Sequence, residues 1–224
     1  MTTQESFKKD IIPTSAGNLE ITFLGHGSLL LNFKEKNIYV DPYSEVADYS
    51  KLPEADLILI THEHFDHLDT QALAHVRKEQ TTVVLTKPCT SQVAGGIVMG
   101  NGDTKTVESL RIEAVPAYNI IHKREDGQPF HPQGVGNGYV VTFGDKRVYI
   151  AGDTENIPEM NDLEDIHIAF LPMNLPYTMT PQMVANAARS FRPRILYPYH
   201  YGSTDTSQLE ELLKDEKDID VRIR

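Results

Sequence analysis

Three histidines and an aspartate fall within six positions in the segment Thr61-His62-Glu63-His64-Phe65-Asp66-His67. Imidazole nitrogen and carboxylate oxygen are donors that suit zinc, and also manganese or iron. The segment follows directly on Ala55–Ile60, a short apolar run that reads as a strand buried on both faces. At a strand end, side chains two positions apart point the same way, so His62 and His64 are placed to grip one ion together. Asp66 and His67 fall past the bend and are placed for a second ion. A solvated polar loop also holds histidines, but three with an aspartate, at fixed spacing after a buried strand, favour a metal.

Further candidates share one property: each stands just after a strand pattern. Asp41 follows Ile38–Val40. Asp153 follows Val148–Ala151 in Ala-Gly-Asp-Thr, where Gly152 permits a tight turn. His200 follows Ile195–Pro198 in Tyr-Pro-Tyr-His-Tyr-Gly. Alone, Asp153 is as easily a capping residue and His200 a packed core residue. Together with the histidine segment they supply missing ligands, because successive strand ends converge on one rim in α/β folds. Asp41 and Thr61 are candidates to orient the ligand imidazoles from behind. His26, in a Gly-His-Gly turn, and Tyr177 are candidate contacts to substrate or leaving group, with structural roles as the competing readings.

The elements that must position these residues begin with a β-meander. Leu19–Leu24, Ser28–Phe33 and Asn37–Val40 are strands broken by Gly25, Gly27 and Lys34–Lys36. After Ala55–Ile60 and the histidine segment, Asp69–Gln80 reads as a helix and Thr82–Thr86 as a strand. The Gly-rich stretch Gly95–Gly102 lacks the Gly-Lys-Ser/Thr of a phosphate loop and reads as a turn. Leu110–Val115 is a strand. The long polar stretch Ala117–Gly138 carries His122 and His131, and such ordered loops are often functional. Tyr139–Phe143 and Lys146–Ala151 form a hairpin across Gly144-Asp145. Ile166–Leu171 is a strand, and Thr180-Pro181 starts a helix with an N-cap and a proline at its first position. Arg194–Pro198, Asp205–Lys214 and Asp220–Ile223 read as strand, helix and strand. No sequence repeat or linker stands out across the 224 residues, so residues 1–224 are expected to form a single domain. The pattern predicts an α/β arrangement around two sheets with helices outside.

His-x-His-x-Asp-His after an apolar strand, a later Gly-Asp-Thr and a late histidine resemble the motif set of the metallo-β-lactamase superfamily along nearly the whole chain. Leu24-Gly25-His26-Gly27-Ser28, Asp41-Pro42, Leu171-Pro172 and Tyr199-His200-Tyr201-Gly202 are similar to its branch of small metal-dependent hydrolases, which includes the ascorbate-6-phosphate lactonase. The resemblance implies a four-layer αβ/βα sandwich. It implies that His62 and His64 bind one metal, that Asp66, His67 and His200 bind a second, and that Asp153 bridges both. One position departs from the pattern: Pro116-Ala117-Tyr118-Asn119 carries an asparagine where the family usually has the third histidine of the first metal. Either Asn119 coordinates through its oxygen, or His131 swings in from the long loop, or only one ion binds tightly. His131 ranks ahead of His122 because Phe130 and Pro132 flank it.

The chemistry that follows is a metal-activated water attacking an ester, lactone or phosphodiester of a small molecule, with zinc as the expected metal. Asp66 is the candidate general base, beside its role as ligand. A nuclease of the same fold is the second reading, and a non-catalytic metal- or ligand-binding protein the third. Net charge is −11 and no lysine or arginine cluster exceeds two residues, which disfavours nucleic acid. No apolar run is long enough for a membrane span, and Met1–Asn18 lacks the core of a signal peptide. The lone cysteine, Cys89, goes with a reducing, cytoplasmic location. The expected partner is a small-molecule substrate; a homo-oligomer is compatible with all of this.

Overall fold

In the computed structural model, residues 7–224 are described. The first half forms β1 (Lys8–Thr14), β2 (Gly17–Gly25), β3 (Ser28–Phe33), β4 (Lys36–Val40), β5 (Ala55–Leu59), β6 (Arg77–Leu85) and β7 (Ile97–Val98), with α1 (Thr70–Val76) between β5 and β6. The second half forms β8 (Thr104–Val107), β9 (Leu110–Ala117), β10 (Gly136–Phe143), β11 (Lys146–Ile150), β12 (Ile166–Pro172), β13 (Ile195–Tyr199) and β14 (Asp220–Val221). Helices α2 (Pro181–Phe191) and α3 (Ser207–Leu213) flank β13 in sequence.

Each half folds into one seven-stranded sheet in which neighbours in sequence are neighbours in space. The strand directions repeat as well. In both sheets the first four strands run antiparallel and the last three continue parallel, with β4–β5 and β11–β12 as the matching switches. The sequence shows no trace of this duplication, because the topology constrains only the apolar pattern of each strand.

Three apolar clusters divide the molecule into layers. Leu31, Val40, Leu57, Tyr139, Ile150 and Phe170 belong to the cluster between the two sheets. Tyr39, Ile58, Ala72, Leu73 and Val76 pack α1 on the outer face of the first sheet. Val140, Leu171, Val184, Ala188 and Leu209 do the same for α2 and α3 on the second. Strands such as Ala55–Leu59 are buried on both faces, which is why their sequences run apolar without alternation. This is the expected four-layer αβ/βα sandwich.

Several boundaries differ from expectation. The helix expected over Asp69–Gln80 stops at Val76, and Arg77 turns to extended backbone. Residues 77–80 join β6 instead, where Arg77 pairs with Ala55 and the Thr81 hydroxyl donates to the Ala55 carbonyl at 2.6 Å. Tertiary pairing overrides a modest helical pattern here. Strand β1 was unread because only Ile12 among its residues is buried, as befits an edge strand carrying a proline. The Gly95–Gly102 turn contains the short β7. The N-cap expected at Thr180 is present, its hydroxyl accepting from the Met183 N–H at 3.1 Å. No helix among the described residues is long and apolar enough to cross a membrane.

One polar cluster ties the outermost strand of the first sheet to the second. The Asp10 carboxylate on β1 accepts from Arg224 at 2.8 Å through each of its oxygens and from the Tyr197 hydroxyl on β13 at 2.5 Å. Burial pushes the Asp10 carboxyl up, but the bonds from Arg224 and Tyr197 outweigh it and hold it below its ordinary value. A depressed value means stability that is present above the unfolded carboxyl's range and lost as pH falls through the folded one. Asp10→Ala is therefore expected to lower unfolding stability by about 2 kcal/mol at neutral pH, with the gap narrowing below about pH 4. Urea unfolding of both proteins at neutral and acid pH checks this; equal midpoints at neutral pH would contradict it.

Candidate metal centre

The chemistry-bearing side chains meet at the end of the sandwich where the parallel strands finish. Asp41 follows β4, His62, His64, Asp66 and His67 follow β5, Asp153 follows β11, and His200 follows β13. His26 comes from the β2–β3 turn and His131 from the loop between β9 and β10. Three of these residues, His26, Asp41 and His200, hold left-handed backbone with φ of 52°, 41° and 46°. Non-glycine residues rarely adopt that region, and strain of this kind gathers at functional sites.

The donors fall into overlapping groups: His62, His64 and His131; His26, Asp66, His67 and His200; and His62, His67 and Asp153. Asp153 lies between the first two. Its Oδ2 faces His131 Nε2 at 3.2 Å, while its Oδ1 faces His67 Nε2 at 3.4 Å and His200 Nε2 at 3.7 Å. His62 Nε2 and His64 Nδ1 approach to 3.1 Å, and Asp66 Oδ2 lies 3.5 Å from His200 Nε2. A tetrahedral ion with bonds of about 2.0–2.1 Å keeps its donors about 3.3–3.4 Å apart, so these spacings fit metal coordination. Among the buried polar atoms without hydrogen bonds, three face one another: His67 Nε2, His200 Nε2 and Asp153 Oδ1. Buried polar atoms are rarely orphaned, and here three converge.

The imidazoles are aimed from behind. Asp41 is wholly buried; its Oδ1 accepts the Thr61 N–H at 2.8 Å and its Oδ2 the Thr61 hydroxyl at 2.6 Å. The same Oδ2 lies 2.8 Å from His67 Nδ1. A carboxylate accepts only, so Nδ1 keeps its proton toward Asp41 and Nε2 is the nitrogen turned to the cluster. The Ser28 hydroxyl donates to the Asp41 carbonyl at 2.5 Å, fixing the strained turn. Glycine is required at one point and gives close packing at another. Gly152, at φ 65°, would drive a Cβ to 2.8 Å from the Asn137 carbonyl oxygen, and a Cβ at Gly27 would reach 3.1 Å from the His67 ring.

Electrostatics follow from the packing. Burial lowers His62 and His64 well below or below the ordinary histidine value, reinforced by neighbouring imidazoles, so both are neutral donors. Burial raises the Asp66 and Asp153 carboxyls, but facing histidines outweigh it and keep both ionised. Burial also lowers His67, yet Asp153 and Asp41 outweigh it and raise it well above the ordinary value.

Two of the candidate residues are not brought to the centre. Asn119 does not turn its oxygen to the cluster. That oxygen accepts the His131 backbone N–H at 2.9 Å and faces His131 Nδ1 at 2.7 Å, so Asn119 stands behind His131, which takes the place among the donors. Tyr177 stays outside: its exposed ring packs edge-on to Phe130, centroids 5.0 Å apart, over an open depression shared with Lys123 and Arg124. His26 is closer to the centre than its turn alone suggested, with Nε2 at 2.9 Å from Asp66 Oδ2 and its ring 3.7 Å from that of His200. His122 faces away, toward Glu155. Glu155 itself went unread in the sequence. It is wholly buried, directly after Gly-Asp-Thr, and only its position next to that motif could have marked it.

A family profile described as a β-lactamase superfamily domain matches residues 20–200. A UPF0173 metal-dependent hydrolase of Methanopyrus kandleri is 32% identical over 196 residues, covering 83% of this chain and 85% of that protein. The crystal structure of a Parabacteroides distasonis protein assigned as a metal-dependent hydrolase is 53% identical, with a TM-score of 0.93 over 98% of this chain and 99% of that one. Igni18, a metallo hydrolase of Ignicoccus hospitalis, is 24% identical with a TM-score of 0.76, covering 92% of this chain and 94% of that one, a likeness of fold.

The raised His67 has a measurable consequence. The facing Asp153 and Asp41 favour a proton on His67 in the metal-free protein, and an ion held at Nε2 would have to displace it. Metal affinity is therefore expected to rise with pH, by up to about tenfold per unit for one proton. Calorimetry of zinc binding in buffers of different ionisation enthalpy should show about one proton released per ion at neutral pH; no release would contradict the assignment.

Proposed function

The chain belongs to the β-lactamase superfamily and is a metal-dependent hydrolase, and from that premise we propose that it cleaves an ester, lactone or phosphodiester bond of a small molecule with two zinc ions as its metals. The observation that carries the reading is the convergence of the unpartnered His67 Nε2, His200 Nε2 and Asp153 Oδ1. His62, His64, His131 and Asp153 Oδ2 would hold one ion. Asp66, His67, His200 and Asp153 Oδ1 would hold the other. When bound, the ions supply Lewis acidity that makes water nucleophilic near neutral pH and stabilises negative charge on the attacked group.

The chain's own residues handle the proton and the substrate. The His26–Asp66 pair is the only part of the second group with substantial solvent access, its side chains 23% and 21% exposed. A proton held between His26 Nε2 and Asp66 Oδ2 can be passed to a leaving oxygen and replaced from water. The cavity lined by His62, His64, His131 and Asp153 has about 10 Å³ of free volume, enough for one water, so the scissile bond approaches from the mouth. Phe65, between His64 and Asp66, is exposed, as are Ile120 and Ile121 in the loop that carries His131. Large apolar side chains at a rim favour a substrate with an apolar portion. A nucleic-acid substrate is disfavoured by the net charge of −11. A cytoplasmic location goes with the lone, buried Cys89.

Two outcomes are expected. Protein purified without chelator carries about two zinc ions per chain and hydrolyses members of an ester, lactone and phosphodiester panel; chelation abolishes this and zinc restores it. Hydrolysis that persists after His62, His64 and His67 are all changed to alanine would sink the proposal. His26→Ala is expected to lower kcat by about 10²–10⁴-fold while metal content stays unchanged, as elemental analysis beside steady-state kinetics would show.

A further inference from the structure

We propose that Glu155 is a positioning residue which, through Asn119, fixes the orientation and tautomer of His131 and so sets the affinity of the ion held by His62, His64 and His131. The inference rests on the reading of those three histidines as ligands.

The bonds run in one direction. The wholly buried Glu155 carboxylate accepts the backbone N–H groups of Ile120 at 2.7 Å, Ile121 at 2.6 Å and His122 at 2.7 Å. It also faces Asn119 Nδ2 at 3.1 Å, and the Tyr177 carbonyl lies 2.9 Å from the same nitrogen. Both partners only accept, so the amino side of Asn119 is forced toward them. Its oxygen then has one direction left, onto the His131 backbone N–H and Nδ1. That oxygen also only accepts, so the His131 proton sits on Nδ1. The bare Nε2 faces Asp153 Oδ2 at 3.2 Å, within the group formed with His62 and His64. A flipped amide would set oxygen against carboxylate and carbonyl and offer His131 a donor where it needs an acceptor.

His131 needs this support more than the other donors. His200 follows β13 directly and His62 lies three residues past β5, whereas His131 lies in an 18-residue connection between Ala117 and Gly136. Glu155 pins the start of that connection and Asn119 transmits the pin to the ligand.

The test uses the full chain, titrated with cobalt(II) while absorbance is followed, for the parent, Glu155→Gln and Asn119→Ala. The parent is expected to take two ions. In both variants the ion at His62, His64 and His131 should bind 10–100-fold more weakly, with the other within about twofold. The exchangeable imidazole N–H resonance of His131 Nδ1, visible by NMR in the loaded parent, should exchange rapidly with water in Asn119→Ala. A purely structural role would lower the melting temperature and leave both affinities and the resonance in place, which overturns the proposal. Should Glu155→Gln fail to fold, Asn119→Ala decides alone, because it leaves the three backbone bonds to Glu155 intact. A parent whose cobalt binding ignores His62→Ala and His64→Ala would instead refute the ligand reading.

Discussion

The whole site is organised around one buried carboxylate. Asp153 is 5% exposed, one of its oxygens has no hydrogen-bond partner, and imidazole nitrogens face it on both sides. An ionised carboxylate in such a place is costly unless positive charge answers it. Without an ion, His67 supplies that charge by holding a proton. A bound ion would take over that role and give His67 Nε2, His200 Nε2 and Asp153 Oδ1 a partner. The same constraint explains the packing nearby. The Tyr199 hydroxyl faces the Gly152 N–H at 2.9 Å, and Gly152 has no room for a side chain, so the turn that presents Asp153 has one conformation.

The two sheets must also be held in register, because the candidate ligands come from both. Polar bonds do this at the rim. The Tyr139 hydroxyl on β10 donates to the Ile60 carbonyl at 2.8 Å, and the Asn137 N–H donates to the Thr61 carbonyl at 2.9 Å. Both acceptors belong to the residues between β5 and the first histidine. The apolar interior of the sandwich permits sliding by small amounts, since burial is not directional. Directional bonds at the mouth remove that freedom where ångström-scale errors would separate the donors.

Much of this was legible in the sequence, for physical reasons that can be named. Ala55–Ile60 reads as a buried strand because both faces are covered, and the His-x-His alternation after it reports on side chains emerging on one side. Asp41, Asp153 and His200 could be placed because strand ends share a rim. What remained hidden depends on contacts between distant parts of the chain. Neither the duplicated topology nor the short helix at Thr70–Val76 leaves a local signal, since strand pairing decides both. The choice between Asn119 and His131 was equally unreadable. It turns on which way a side-chain amide faces, and that is set by Glu155, thirty-six positions away.

The two halves of the centre are consequently unequal in kind. Asp66, His67 and His200 are close to strand ends, and His67 is held by the buried Asp41, itself locked to Thr61. Hydrogen bonds tie His67 in that half to the end of β4 and the residues after β5. The other half draws on His62 and His64 of the same segment, but its third candidate nitrogen comes from the loop in which Ile120 and Ile121 are exposed. A loop opens with far less free energy than a sheet. Any molecule that presses on Ile120 or Ile121 therefore acts on the segment that carries Asn119, and through it on His131. With Asn119 at the end of β9, the candidate nitrogen on this side comes from His131 in the loop, and its placement depends on that loop rather than on a strand end.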